Sequence, residues 1–155
     1  MMRGIILGFL FIFFLASCEK RGFYDEYKVF EDQTWHTDSI KDFTFYVEDT
    51  IKSYKIILRI RHTTEYDFQN LFLFVQLDKK DTLEVKLANK EGEWMGRGIG
   101  DVREMDYVYK NNFIFSQKNK VVFKIEQAMR YGDFSKIEKL NNILSVGVSI
   151  IEQDE

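Results

Sequence analysis

Four residues, Leu15, Ala16, Ser17 and Cys18, carry the sharpest chemical signal in the sequence. Cys18 is the only cysteine. It closes a segment with a positive charge at Arg3, an apolar run from Gly4 to Leu15 and a small-residue end, the three features that a translocation machinery reads as a secretory signal. The apolar run has 12 residues, whereas crossing a hydrocarbon core takes about 20. Small residues directly before a cysteine make a bacterial lipobox. Cleavage ahead of Cys18 makes it the mature first residue, and its sulfur is the nucleophile that the thioether-linked lipid requires, with fatty chains such as palmitate as the anchor.

Little else in the chain has the spacing of a reactive centre. Neither His36 nor His62 stands in a metal-spaced pair with another histidine or a cysteine, so no metal site is expected. His62 follows the alternating segment 56–61 and reads as a solvated residue at a strand end. There is no GxSxG elbow, and lipidation of Cys18 leaves no thiol for an enzyme. The adjacent carboxylates Asp25 with Glu26, Glu31 with Asp32, and Glu48 with Asp49 read as soluble turns. A hydrolase would need two carboxylates brought together across a cleft. No catalytic residue is assigned, no cofactor is implied, and a small-molecule ligand is not expected.

The stretch GEWMGRGIGD, residues 92–101, holds four of the nine glycines. It lacks the third glycine of a dinucleotide fingerprint and the GK[ST] of a phosphate loop. Its glycines read first as turn or bulge positions that let Trp94 fold over a sheet edge. The functional alternative is a partner or glycan contact, with Trp94 as a flat platform and Arg97, Asp101 and Arg103 as a polar rim. A second feature is the small-residue stripe Ser145, Gly147 and Ser149, best explained by close approach of aromatic side chains such as Phe72 and Phe74.

The elements that must hold these residues alternate with a period of two, as a strand with one buried face requires. Phe43, Phe45 and Val47 alternate with Thr44 and Tyr46; Ile56, Leu58 and Ile60 with Ile57, Arg59 and Arg61; Leu83, Val85 and Leu87 with Glu84 and Lys86. Further strands are expected at Phe113 to Phe115, at Val121, Phe123 and Ile125, and at Leu144, Val146, Val148 and Ile150. LFLFVQL, residues 71–77, is apolar on both faces and reads as a central strand covered on its second side. Ser135 and Glu138 have the form of a capping box and predict at most one short helix, over 136–142. About eight strands without long helices imply an all-β fold: an antiparallel β-sandwich, jelly-roll-like, with an up-and-down barrel as the competitor. Residues 1–17 read as signal peptide, 18–23 as lipidated N-terminus and short tether, and 24–155 as the sandwich.

Cleavage removes 17 of the 155 residues and leaves 138, enough for one domain with a substantial core. The formal charge of −3, or −4 without Arg3, argues against nucleic acid as a partner, which would call for clustered Lys and Arg. It also provides no polybasic grip on anionic lipid, so membrane attachment falls to the lipid anchor.

Five stretches taken in order, YKVFEDQTW, RIRHTTEYDFQNLFLFV, DTLEVKLANKEGEWMGRGIGD, FKIEQAMR and ILSVGVSI, resemble the GldH gliding motility lipoproteins of Bacteroidetes. The resemblance spans Tyr24 to Ile151. Where that family leads one to expect a proline after Tyr66, this chain has Asp67. The resemblance implies a cell-envelope lipoprotein needed for gliding and associated with the type IX secretion apparatus, whose partners are other gliding or secretion-machinery proteins. It implies no enzyme, and only Cys18 carries over as a functional residue. EKRG after Cys18 has mixed charge, unlike the acidic run of some surface lipoproteins, which favours the periplasmic face of the outer membrane. A non-catalytic scaffold is therefore the leading function, a lipid-anchored glycan-binding module the second, and a carboxylate-pair hydrolase the third.

Overall fold

The computed structural model describes residues 23–133 and 136–153. They form ten strands: β1 (Tyr24–Val29), β2 (Thr34–His36), β3 (Lys41–Tyr46), β4 (Ser53–Thr63), β5 (Asn70–Gln76), β6 (Lys80–Lys86), β7 (Val102–Phe113), β8 (Lys120–Gln127), β9 (Lys139–Asn141) and β10 (Ile143–Gln153). The only helical element among the described residues is a 3₁₀ turn at Glu31–Gln33.

Eight strands build two antiparallel four-stranded sheets, ordered β1-β10-β4-β7 and β3-β8-β5-β6. Apart from the β5-β6 hairpin, each step along the chain among these eight moves from one sheet to the other. That is jelly-roll connectivity. The short strands β2 and β9 pair across one end, where buried Trp35 and Leu140 face each other. Trp35 stacks on Phe30 at 4.7 Å, and its Nε1 donates to the Ser39 carbonyl at 2.9 Å.

The inner faces follow the alternation in the sequence. Leu58 and Ile60 of β4, Val146 and Val148 of β10, Leu73 and Val75 of β5, Val85 of β6 and Phe123 of β8 are all buried. Aromatic contacts join the sheets: Tyr24 meets Phe45, and Tyr109 stacks on Phe123 at 5.5 Å while its hydroxyl donates to Asp81 at 2.8 Å.

Four expectations are corrected. The helix at 136–142 does not form, since residues 139–141 are strand β9; Ser135 itself lies outside the described residues. Pairing of β2 with β9 buries Leu140 and Trp35 almost completely, and this tertiary contact overrides the local capping signal. Phe113 ends the long strand β7, and Phe115 is buried beyond it against Tyr54. The second face of β5 is only partly covered: Phe72 and Phe74 stay half-buried, with the Lys80 ammonium 4.5 Å from the Phe74 ring.

His62 is the fourth. β4 runs on to Thr63, so His62 shares the inward parity of Ile56, Leu58 and Ile60 and is fully buried. Its Nδ1 lies 2.8 Å from the Thr63 carbonyl, and Trp94 and Tyr66 pack against the ring. Burial holds its pKa below the ordinary 6.5, with the Arg103 charge adding to the effect and the Thr63 hydrogen bond opposing it. Below pH 6.5 the unfolded chain takes up a proton that the folded chain refuses, so stability falls as pH drops. Chemical denaturation at pH 7.5 and 5.5 should show that loss, and His62→Phe should remove part of it.

Candidate functional site

The outer face of the β1-β10-β4-β7 sheet carries no covering layer among the described residues, yet part of it is buried. Register places side chains there in rows. Tyr27, Gly147, Arg59 and Asp106 form one row; Val29, Ser145, Arg61 and Glu104 form the next. The Tyr27 ring lies flat over Gly147, where an added Cβ would come within 2.7 Å of the ring. That contact explains the glycine at the centre of the small-residue stripe, and the aromatic over it is Tyr27, not Phe72 or Phe74.

Six charged groups then lock around Tyr27. Arg59 Nη1 donates to Asp25 at 2.9 Å and to the Tyr27 hydroxyl at 3.1 Å, and its Nε faces Asp106 Oδ1 at 3.6 Å. Arg61 Nε donates to Glu104 at 2.7 Å while its guanidinium sits 5.0 Å from the Tyr27 ring centre. Arg97 reaches the same group from outside, donating to Asp106 at 2.9 Å and to Glu104. Glu104 is only 8% exposed. Burial pulls its pKa up, but the hydrogen bond from Arg97 and the charges of Arg61 and Arg97 outweigh it and hold the carboxyl below its ordinary 4.5. An ionised, twice-paired carboxylate cannot act as a general acid at neutral pH, which a glycosidase-like pair would require.

Arg97 is placed by the glycine-rich stretch. Residues Arg97 and Glu104 exchange two backbone hydrogen bonds, 3.0 and 2.7 Å, laying the segment along the β7 edge. The approach is so close that a Cβ on Gly98 would sit 1.9 Å from the Val102 carbonyl oxygen. Beside this turn is a groove of about 660 Å³. Val29, Ile99, Val102 and Leu144 supply apolar lining, and Arg61, Arg97, Glu104 and Ser145 supply polar groups. Ser145 Oγ is buried without a hydrogen-bond partner. Ile99 and Val29 are 92% and 75% exposed.

The four residues singled out in the sequence do not share one surface. Arg97 joins the charged lattice. Trp94 is half-buried and turns inward, 4.7 Å from the His62 ring. Arg103 Nη1 donates to the carbonyls of Gly100 and Val102, closing the turn. Asp101 is exposed, and its carbonyl accepts from the Thr64 amide at 2.7 Å. Tyr107 and Tyr109 face the core, so no aromatic platform forms with Trp94. Cys18 lies outside the described residues. Sequence reasoning missed Tyr27, Arg59, Arg61, Glu104 and Asp106. The signal was present as opposite charges repeating at a spacing of two in two strands. Among the described residues, no group of three or more His, Cys, Asp or Glu could hold a metal ion.

The family model for the GldH lipoprotein matches residues 22–150. The chain belongs to the GldH lipoprotein family. It is 37% identical over 163 aligned positions to the gliding motility lipoprotein GldH homolog of Christiangramia forsetii, covering 99% of each chain. It is 38% identical to the gliding motility lipoprotein GldH of Flavobacterium johnsoniae, covering 97% of this chain and 96% of that one. No solved structure matches. The match to the GldH family model takes in seven of the eight strands of the two large sheets whole and β10 as far as Ile150, and with them the charged lattice and its groove.

Two substitutions test this geometry. Glu104→Gln keeps the shape but withdraws charge from two arginines, and should cost about 1–3 kcal/mol in urea unfolding at neutral pH. A depressed carboxyl pKa contributes stability that is full above pH 4.5 and is lost as pH falls through the folded value, so the variant should also have a flatter acid limb. Gly98→Val should destabilise by about 1–3 kcal/mol, because the β7 backbone occupies the space of the new side chain.

Proposed function

We propose that this protein is a lipid-anchored, non-catalytic component of the gliding machinery, acting as a scaffold or accessory part alongside the type IX secretion apparatus. The observation that carries the reading is similarity over nearly the whole chain to two proteins named gliding motility lipoproteins, in a sequence whose single cysteine ends a lipobox. Cys18 is the acylation point, the outer membrane is the anchoring membrane, and the domain sits on its periplasmic face. The mixed charge of the EKRG segment supports that side.

The paired carboxylates favour a binding role over a reactive one. The groove beside Arg97 is the proposed contact for another gliding or secretion protein. Its exposed aliphatic walls, Val29 and Ile99, suit an apolar anchor, and the half-exposed Arg97 stands at its rim. Trp94, Asp101 and Arg103 support the turn that forms one wall of it.

Cys18→Ala should block lipid attachment and leave either an uncleaved precursor or a soluble form cut elsewhere. Gliding should fail in both cases. Mass spectrometry of the N-terminal peptide from membrane-extracted protein is the measurement, and an unmodified Cys18 in functional, membrane-bound protein would sink the assignment.

A further inference from the structure

The two ends of the sandwich differ, and the chain leaves from only one of them. Loops 47–52, 77–79 and 114–119 gather at the end where β1 begins and β10 finishes. The Val47 amide donates to the Asn119 carbonyl at 2.9 Å, tying two of these loops together. The small β2-β9 sheet, the groove and the glycine-rich turn belong to the opposite end.

Phe23 fixes the exit. Its ring packs edge-on to Phe45 at 6.2 Å and against Tyr54 at 5.6 Å, so the chain enters β1 at the rim of the first end. Cys18 is five residues earlier. Five extended peptide steps reach at most about 18 Å. A lipid on Cys18 therefore holds this end, and no other, against the bilayer surface.

The same end carries apolar side chains that face outward. Ile51 is 84% exposed and Ile114 is 53% exposed, with Phe23 beside them at 41%. Ile51 is held out by a turn: Asp49 Oδ1 accepts from the Ile51 amide at 2.8 Å and from the Lys52 amide at 3.3 Å. Exposed Lys118 stands in the neighbouring loop and exposed Lys120 opens β8 just after it, with stems long enough to lie along lipid while their ammonium groups stay at the headgroups. A short tether gives these loops a high effective concentration at the membrane, so weak insertion suffices.

We infer that the domain stands upright on a lipid surface, with Ile51 and Ile114 seated in the interfacial layer and the groove end directed away from it. This inference rests on lipidation at Cys18, and it adds which part of the domain touches the bilayer. It also explains why aliphatic residues are exposed on loop tips that fill no cavity of the sandwich.

Acylation consumes the Cys18 sulfur, so an introduced cysteine is the single free thiol of the mature protein. Full-length Ile51→Cys, Ile114→Cys and Ile99→Cys proteins, extracted with their lipid, are labelled with the environment-sensitive fluorophore NBD. They are then reconstituted into phosphatidylethanolamine/phosphatidylglycerol vesicles. Labels at 51 and 114 should shift to the blue and become several-fold less quenchable by aqueous iodide than in detergent-free solution of the same variants carrying Cys18→Ser, which are unlipidated and keep one thiol. The label at 99 should not change. Acylated protein that floats with vesicles while 51 and 114 stay as quenchable as 99 overturns the seating alone, as does protection at 99. A missing acyl mass on the N-terminal peptide overturns the lipid reading, and the seating with it.

Discussion

Closure of the sandwich by the first and last strands is the interaction on which the rest of the structure depends. β1 is an edge strand and has β10 as its ladder partner, from Tyr24 opposite Ile150 to Val29 opposite Ser145. That register alone brings Tyr27 over Gly147 and Asp25 within reach of Arg59. A slip of one residue would turn Tyr27 inward and put Glu26 and Lys28 on the outer face. Glycine at 147 therefore does more than save space. It leaves the flat seat without which β1 could not lie against the sheet with a tyrosine in this row.

The inner face of β1 shows the cost of being first. Glu26 and Lys28 share the parity of Tyr24 and pair with each other at the sandwich rim, where Glu26 also accepts from the Tyr24 hydroxyl. Inward-pointing charges on an edge strand discourage pairing with another chain. Polarity at that edge thus guards the fold while the apolar load is carried by β10, β4, β8 and β5.

Much of this architecture was legible because five of its strands, β3, β4, β6, β8 and β10, obey a period of two with aliphatic or aromatic residues on one side, while β5 announces itself as a continuous apolar run. Jelly-roll order was the natural reading of about eight strands in a chain of this length. β7 was concealed. It presents Arg103, Met105 and Tyr107 on one face and Glu104 and Asp106 on the other, so hydropathy does not alternate even though the side chains do. Its polar side is filled by partners from β4, some forty residues back in the chain, and by Arg97 of the glycine-rich turn that folds back onto it. For the same reason the lattice around Tyr27 was invisible residue by residue, although Arg59 and Arg61 interrupting an apolar strand demanded acidic partners. His62 was readable from parity, had β4 been carried two residues further. The helix expected at 136–142 failed because a local cap competes poorly with burial of Leu140 against Trp35.

The lattice on the outer face contains Asp25, Glu104 and Asp106 against Arg59, Arg61 and Arg97, three charges of each sign. Dense as it is, it sums to zero and projects little field beyond a Debye length, which is about 8 Å at physiological ionic strength. A macromolecule arriving at the neighbouring groove receives no electrostatic steering from it. Encounter then proceeds at the unsteered rate, on the order of 10⁵–10⁶ M⁻¹s⁻¹, nearly independent of salt. Complexes formed there would owe their lifetimes to slow dissociation from an apolar contact, a kinetic character suited to lasting assembly more than to rapid exchange.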